Sequence, residues 1–264
     1  MMVEGINSCA TRAVGGQTED AAGVWCENHH IDSNRIVEGS KTDIKQYPYN
    51  AFCKLQTDDG AVMTCGGAII SKNYILTAAH CLDNVTTAIV RIGSTYKTNG
   101  GYVYKSTSIY QHPRYRSGKF DYDIGLIVID EGMDINGKTT DTIQVERSSS
   151  KPEAGNMVTI TGWGATKENA KESVEELRVG EVEVQNRTYC EETNPGITRR
   201  MFCAGGDGID TCQGDSGGPA VGPSHTLVGV TSNGIGCGRE GQPGVYTRTS
   251  AFEIRLFISL LTRG

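Results

Sequence analysis

Cys212-Gln213-Gly214-Asp215-Ser216-Gly217-Gly218-Pro219 sets one serine beside one carboxylate, in a run too rich in glycine for a helix or a central strand. Glycine adopts backbone conformations with positive φ and lets backbone N–H groups come close to a ligand. A tight loop of this composition can hold up a hydroxyl and aim amides at the same point. Those are the parts of a covalent nucleophile and an oxyanion hole. A bare Gly-x-Ser-x-Gly is also an ordinary Gly/Ser turn. What the octapeptide means therefore depends on what the rest of the chain supplies.

The 264 residues are 37% hydrophobic and 21% charged, as in a folded globular protein rather than a disordered one, and are enough to bury a large core. A net charge of −6 points away from a nucleic-acid groove or a polybasic membrane surface. No apolar run approaches the ~20 residues of a membrane span. Nine cysteines suit an oxidising compartment if they pair. Zinc is the competing use, but no Cys-x-x-Cys occurs and the five histidines are scattered. Asn84-Val85-Thr86 and Asn186-Arg187-Thr188 are N-glycosylation sequons. Met1-Met2-Val3-Glu4-Gly5-Ile6-Asn7 holds no apolar core of signal-peptide length, so the expectation of a secreted protein rests on the cysteines.

Residues 1–35 are polar, lack a sustained period, carry Cys9 and Cys26, and read as a leader or propeptide. They end at Asn34-Arg35, followed by Ile36-Val37-Glu38-Gly39, a plausible processing site. Beyond it, short apolar runs alternate with Gly, Asn, Asp and Ser: 68–70, 88–92, 124–129, 157–161, 177–184 and 226–232. Runs of this length, rich in Val, Ile, Tyr and Thr, predict an all-β barrel or sandwich. Only the tail reads as helix, with Ile254, Phe257, Ile258 and Leu261 on one face.

Two further stretches give Ser216 company. Leu76-Thr77-Ala78-Ala79-His80-Cys81 ends an apolar run on a histidine, and Asp121-Tyr122-Asp123-Ile124-Gly125-Leu126 opens another with acids. A carboxylate there is either solvated or hydrogen-bonded, because burying an unpaired charge costs several kcal/mol. With Ser216 they supply a base, an orienting acid and a nucleophile.

Thr77-Ala78-Ala79-His80-Cys81, Asp123-Ile124-Gly125-Leu126 and Gly214-Asp215-Ser216-Gly217-Gly218-Pro219 resemble the three signature blocks of the chymotrypsin/trypsin family of serine proteases. The similarity runs from Ile36 nearly to the C-terminus, through Gly162-Trp163-Gly164, Met201-Phe202-Cys203-Ala204-Gly205 and Pro243-Gly244-Val245-Tyr246. Gly-x-Ser-x-Gly also occurs in α/β-hydrolases, but their triad runs Ser, acid, His, whereas this chain reads His, Asp, Ser.

The resemblance implies two six-stranded antiparallel β-barrels with a short C-terminal helix, one half about 36–150 and the other about 151–264. It implies a serine endopeptidase with Ser216 as nucleophile, His80 as general base and acid, and Asp123 (rather than Asp121) orienting the imidazole. The N–H groups of Gly214 and Ser216 would form the oxyanion hole. Cleavage between Arg35 and Ile36 would free an ammonium group that pairs with Asp215, making the uncleaved chain a zymogen. Asp210, six residues before Ser216, matches the base of a pocket for Arg or Lys, with Gly234 and Gly244 keeping its walls open. Ser232 and Gly234 would hydrogen-bond the substrate backbone as an added strand.

Protein or peptide substrates and protein inhibitors are the partners so implied, for a monomer with no cofactor, metal, nucleic acid or membrane. By the same matching Cys65 pairs with Cys81, Cys190 with Cys203 and Cys212 with Cys237. Cys9 with Cys26 then leaves Cys53 a buried free thiol, or else a propeptide cysteine bonds Cys53.

Two departures from the family stand out. Asn233 lies where the family usually has tryptophan, removing a large apolar wall beside the pocket entrance. No glutamate lies between Cys81 and Asp121, so the hard-oxygen calcium ligands of many trypsins are missing there. Removing the leader's five acids and two bases (−3) from −6 leaves −3 for the processed chain. A catalytically dead homologue acting as a binding protein is the rival reading, and the intact His80, Asp123 and Ser216 argue against it.

Overall fold

In a computed structural model, which describes residues 39–148, 152–170, 172–206 and 208–262, the apolar runs become strands of two antiparallel sheets. All described residues belong to one unit, Asn34–Gly264. A two-residue strand, β1 (Ser40–Lys41), is followed by β2 (Asn50–Thr57), β3 (Val62–Ile69), β4 (Tyr74–Thr77), β5 (Val85–Ile92), β6 (Tyr102–Ser106), β7 (Ser108–Gln111) and β8 (Gly125–Val128). Strands β2 to β8 form the first sheet in the order β6-β5-β2-β3-β4-β8-β7. Its two edges are separated in sequence by Thr107 alone. Ser106 pairs with Ala88, Ser108 pairs with Val128, and the Ser106 hydroxyl donates to the Val128 carbonyl at 2.6 Å. Seven strand segments thus make a six-stranded barrel whose closing strand bends at Thr107, its first half paired with β5 and its second with β8.

The second sheet uses β9 (Met157–Gly162), β10 (Arg178–Glu183), β11 (Met201–Ala204), β12 (Pro219–Val221), β13 (Leu227–Asn233) and β14 (Gly244–Arg248), in the order β1-β10-β9-β12-β13-β14-β11. Strand β11 returns to the end of β10 through a Val184–Ala204 bridge, with Gln185 N–H donating to Cys203 O and Gly205 N–H to Glu183 O, both at 2.9 Å. Six strands again close. Strand β1, from the first half of the chain, adds itself to the start of β10. In return the C-terminal helix buries Ile254, Phe257 and Ile258 in the core cluster of the first barrel, so each half lends an end to the other.

Alternation explains these strands. In β2, Ala51, Cys53 and Leu55 are fully buried while Lys54 and Gln56 face solvent; in β5, Ala88, Val90 and Ile92 point inward. Each buried Val, Leu or Ile contributes about 1.5–3 kcal/mol. Two helices complete the fold. The first, α1 (Arg187–Thr193), starts where the Asn186 side chain accepts from the Tyr189 N–H at 2.9 Å, an N-cap of ordinary type. The second is α2 (Phe252–Leu261), as the sequence pattern predicts. No helix among the described residues is long and apolar enough to cross a membrane. In the loop between β5 and β6, the Arg91 guanidinium donates to the carbonyls of Lys97, Thr98 and Gly100, so a side-chain cation holds these oxygens together.

Disulfides join Cys65 to Cys81, Cys190 to Cys203 and Cys212 to Cys237. Cys53 is a buried free thiol in β2, and burial pushes its ionisation up to about 12. Cys9 and Cys26 lie outside the described residues. The Cys65–Cys81 bridge closes 16 residues immediately beside His80. Replacing both cysteines by alanine is expected to lower the unfolding free energy by about 3 kcal/mol in urea titration, the loop-entropy value for this length.

Candidate active site

His80 opens a single 3-10 turn, His80–Leu82, three residues past the end of β4, and Asp123 lies two residues before β8. Because β4 and β8 pair, the histidine and the aspartate meet although 43 residues separate them. Asp123 is fully buried and accepts three hydrogen bonds: His80 N–H at 2.8 Å, His80 Nδ1 at 2.8 Å and the Ser232 hydroxyl at 2.5 Å. Its carbonyl accepts from the Thr247 hydroxyl at 2.8 Å, tying the aspartate to β14 of the second barrel. These donors satisfy both oxygens of a buried carboxylate. A carboxylate can only accept, so His80 carries its proton on Nδ1 and presents the Nε2 lone pair in the neutral ring. Phe120 stands edge-on to the imidazole at 5.7 Å.

Asp121 has a different partner. The Arg200 guanidinium grips it with two hydrogen bonds of 2.8 and 2.6 Å, and the Thr198 hydroxyl adds a third at 2.9 Å. Arg200 also lies 4.2 Å above the Tyr122 ring. Although burial opposes ionisation, these bonds hold Asp121 below the usual carboxylate range. The two acids therefore have different partners: Asp121 an arginine, Asp123 a histidine.

The Ser216 loop is fixed on both sides. Gly66 N–H of the first barrel donates to Ser216 O at 2.8 Å, and Gly217 N–H donates to Thr231 O of β13 at 2.8 Å. Internally, Asp215 N–H bonds to Cys212 O and Gly218 N–H to Asp215 O, both at 2.9 Å. Among the described residues the Gly214 and Ser216 N–H groups donate to no protein acceptor, which leaves them for a ligand. The turn needs φ of +98° at Gly214, where a side chain would be strained. The Ser216 hydroxyl makes no hydrogen bond among the described residues. The structure thus joins His80 to Asp123 and leaves the Ser216 hydroxyl without a protein partner among the described residues.

Asp215 turns its carboxylate away from Ser216 and into the protein. Gly164 N–H reaches Oδ1 at 2.7 Å and Cys212 N–H reaches Oδ2 at 3.1 Å. Burial pushes its ionisation up to about 6, with a smaller push from Asp210. No ion pair is made to it among the described residues; Arg35 and Ile36 lie outside them.

Asp210 and Ser216 line one cavity of about 140 Å³, together with Thr211, Ser232, Asn233 and Gly234. Asp210 is 3% exposed and accepts from the N–H groups of Thr211 at 2.8 Å and Gly238 at 3.0 Å. A methyl group on Gly244 would lie 2.7 Å from its Oδ1, so only glycine leaves that oxygen accessible. Burial raises Asp210 to about 6, partly opposed by the hydrogen bonds from Gly238 and Thr211.

An amidinium can pair only with the ionised carboxylate. Benzamidine affinity is therefore expected to be flat above about pH 7 and to fall by up to about tenfold per pH unit below pH 6, measured by calorimetry. As for metals, the cluster of possible ligands among the described residues is Cys65, His80 and Cys81, and its two sulfurs are already joined to each other.

Several contacts have no signal in the sequence. The Ser232 hydroxyl on Asp123, the Arg200 grip on Asp121 and the Phe120 edge on His80 all join residues far apart in the chain or on different elements. Only the barrels bring them together.

Two antiparallel β-barrels with a histidine–aspartate pair on one and a glycine-bounded serine on the other define a chymotrypsin-like hydrolase. The trypsin family model matches residues 36–254. A trypsin of Simulium vittatum is 38% identical over 221 residues, covering 81% of this chain and 88% of that protein. Trypsin 5G1 of Aedes aegypti is 34% identical over 250 residues, covering 92% and 91%. Among solved structures, mouse neuropsin, a serine protease, superposes with a TM-score of 0.74 at 30% identity, over 84% of this chain and 99% of its own. An inactivated protease paralogue of the scabies mite, S-D1, superposes with a TM-score of 0.75 at 28% identity, over 84% and 96%. The chain belongs to the trypsin family of serine proteases and is a hydrolase of peptide bonds.

Proposed function

We propose that the chain is the zymogen of a trypsin-like endopeptidase that cleaves after Arg or Lys through an acyl-enzyme. The observation that carries this reading is the single cavity shared by Asp210 and Ser216. A basic side chain paired with Asp210 would bring the following carbonyl carbon to the serine. Ser216 Oγ then attacks that carbon while His80 Nε2 takes its proton, and Asp123 stabilises the imidazolium and fixes its tautomer. The oxyanion is received by the N–H groups of Gly214 and Ser216, each such donor being worth about 10²–10³ in rate. Collapse breaks the C–N bond as His80 gives its proton to the leaving amine. Water, activated by the same imidazole, attacks the ester, the carboxylic acid leaves, and the proton returns to Ser216.

Activation by cleavage between Arg35 and Ile36 fits the state of Asp215. A fully buried carboxylate held by two N–H groups gains from an ammonium partner, and the new Ile36 terminus would supply one. Substrate backbone would lie along Ser232 and Gly234 as an added strand. Three disulfides suit an oxidising compartment, which supports secretion. Both sequon asparagines, Asn84 and Asn186, are exposed, which supports glycosylation. The enzyme would act as a monomer, with protein inhibitors competing for the same cleft.

A labelled fluorophosphonate tests the nucleophile. After activation it should modify Ser216, located by peptide mass spectrometry, and the His80→Ala variant should label at a small fraction of that rate. The same fold serves an inactivated paralogue, so failure of the activated wild-type protein to label would favour a binding protein without activity.

A further inference from the structure

We infer that Asn233 is a positioning residue of the catalytic machinery, through a relay in which its amide donates to the Ser232 hydroxyl and that hydroxyl donates to Asp123. The inference rests on the proposed roles of His80, Asp123 and Ser216. Its geometry is a chain of two hydrogen bonds: Asn233 Nδ2 lies 3.2 Å from Ser232 Oγ, and Ser232 Oγ lies 2.5 Å from Asp123 Oδ2. The same Oδ2 accepts from His80 Nδ1 at 2.8 Å.

The direction of each bond follows from the groups themselves. An ionised carboxylate has no proton to give, so the single Ser232 proton lies on the line to Asp123. Ser232 Oγ then faces Asn233 with lone pairs only. The amide must present N–H rather than its oxygen, which fixes its orientation. A hydroxyl that accepts while it donates is polarised toward its acceptor, so the three groups strengthen one another.

The consequence is geometric. Ser232 is buried, and its hydroxyl could otherwise rotate toward the cavity that it lines together with Ser216 and Asp210. Asn233 holds it on Asp123. With the carboxylate fixed by His80 N–H on one oxygen and by Ser232 on the other, the imidazole has one orientation. The family's tryptophan at this place is a large apolar wall; here a smaller side chain supplies a hydrogen bond instead of a wall.

Two substitutions separate shape from donation. Asn233→Asp is nearly isosteric but can only accept, and it competes with Asp123 for the Ser232 proton. Asn233→Leu keeps a similar volume and neither donates nor accepts. Both are to be measured in the activated enzyme, alone and on a Ser232→Ala background, with kcat and KM separated. The expected result is a loss of about three- to tenfold in kcat for N233L and a larger loss for N233D, from the removal of one hydrogen bond to the relay. On the S232A background neither substitution should change kcat further. A residue that merely forms the pocket wall would change KM instead, and equally on both backgrounds.

A second readout does not depend on turnover. The proton on His80 Nδ1, seen by NMR in the unactivated protein, should change its chemical shift in N233D and N233L, and not when these are added to S232A. Wild-type kcat in N233D, or equal losses on both backgrounds, would overturn the relay while leaving the protease reading intact. An activated wild-type protein without turnover would instead count against the protease reading, and the His80 resonance would still decide the relay.

Discussion

Replacing Asp210 by serine is expected to lower kcat/KM on arginyl and lysyl anilides by about 10⁴-fold, with much smaller changes on phenylalanyl and leucyl anilides. The size of the effect comes from burial. Asp210 is 3% exposed at the end of a cavity of about 140 Å³, too small for a charged group to keep its hydration shell. A guanidinium or ammonium entering there exchanges water for one carboxylate, already set by the N–H groups of Thr211 and Gly238. Serine leaves the incoming cation desolvated and unpaired, and an unpaired buried charge costs several kcal/mol. Steady-state kinetics with the four anilides read this directly. An unchanged preference for Arg and Lys would show that the basic side chain binds elsewhere.

Replacing Asp123 by asparagine should lower kcat by about 10⁴-fold while leaving the fold intact. The carboxylate receives donors on both oxygens: His80 N–H on Oδ1, and His80 Nδ1 with the Ser232 hydroxyl on Oδ2. An asparagine has one oxygen for these two positions. With its NH₂ group at the Oδ2 place it donates to His80 Nδ1, which moves the ring proton to Nε2, and Nε2 can then no longer accept from Ser216. Turned the other way, its NH₂ group meets the His80 N–H and a backbone bond is lost. The second arrangement sets two donors against each other and is disfavoured, so the first prevails and removes the base. Activity should recover at high pH, where hydroxide replaces it, and circular dichroism should match the wild-type protein. A loss below about tenfold would place the orienting acid elsewhere, and Asp121, gripped by Arg200, is poorly placed to take over.

Much of this site is legible in the chain because its chemistry demands particular residues in particular loops. Glycine at 214, with φ of +98°, records a turn that only glycine makes comfortably, and the acids at 121 and 123 stand at the mouth of an apolar strand. The barrels are legible through alternation, as in Ala51, Cys53 and Leu55 of β2. The closing helix shows as one face of Ile254, Phe257 and Ile258.

What stays hidden is what depends on closure. Two residues of β1 carry no period, and they become a strand only because β10 offers an open edge. Helix α1 is seven residues long, too short for a stripe, and the Asn186 that caps it reads in the sequence only as part of a sequon. Nothing in the order of residues says that Ser232 turns its hydroxyl to Asp123, 109 positions earlier, or that Asn233 follows it. Asn233 read as a missing wall; the folded chain gives its amide a hydrogen bond.

Limited cleavage tests the central proposal most directly. The protein is incubated with a trace of trypsin, the trypsin is removed, a new Ile36 terminus is confirmed by mass spectrometry, and the four anilides are assayed before and after. Activity that appears only after cleavage, and only on the arginyl and lysyl substrates, is the predicted result. A clean Ile36 terminus without activity on any substrate would contradict it.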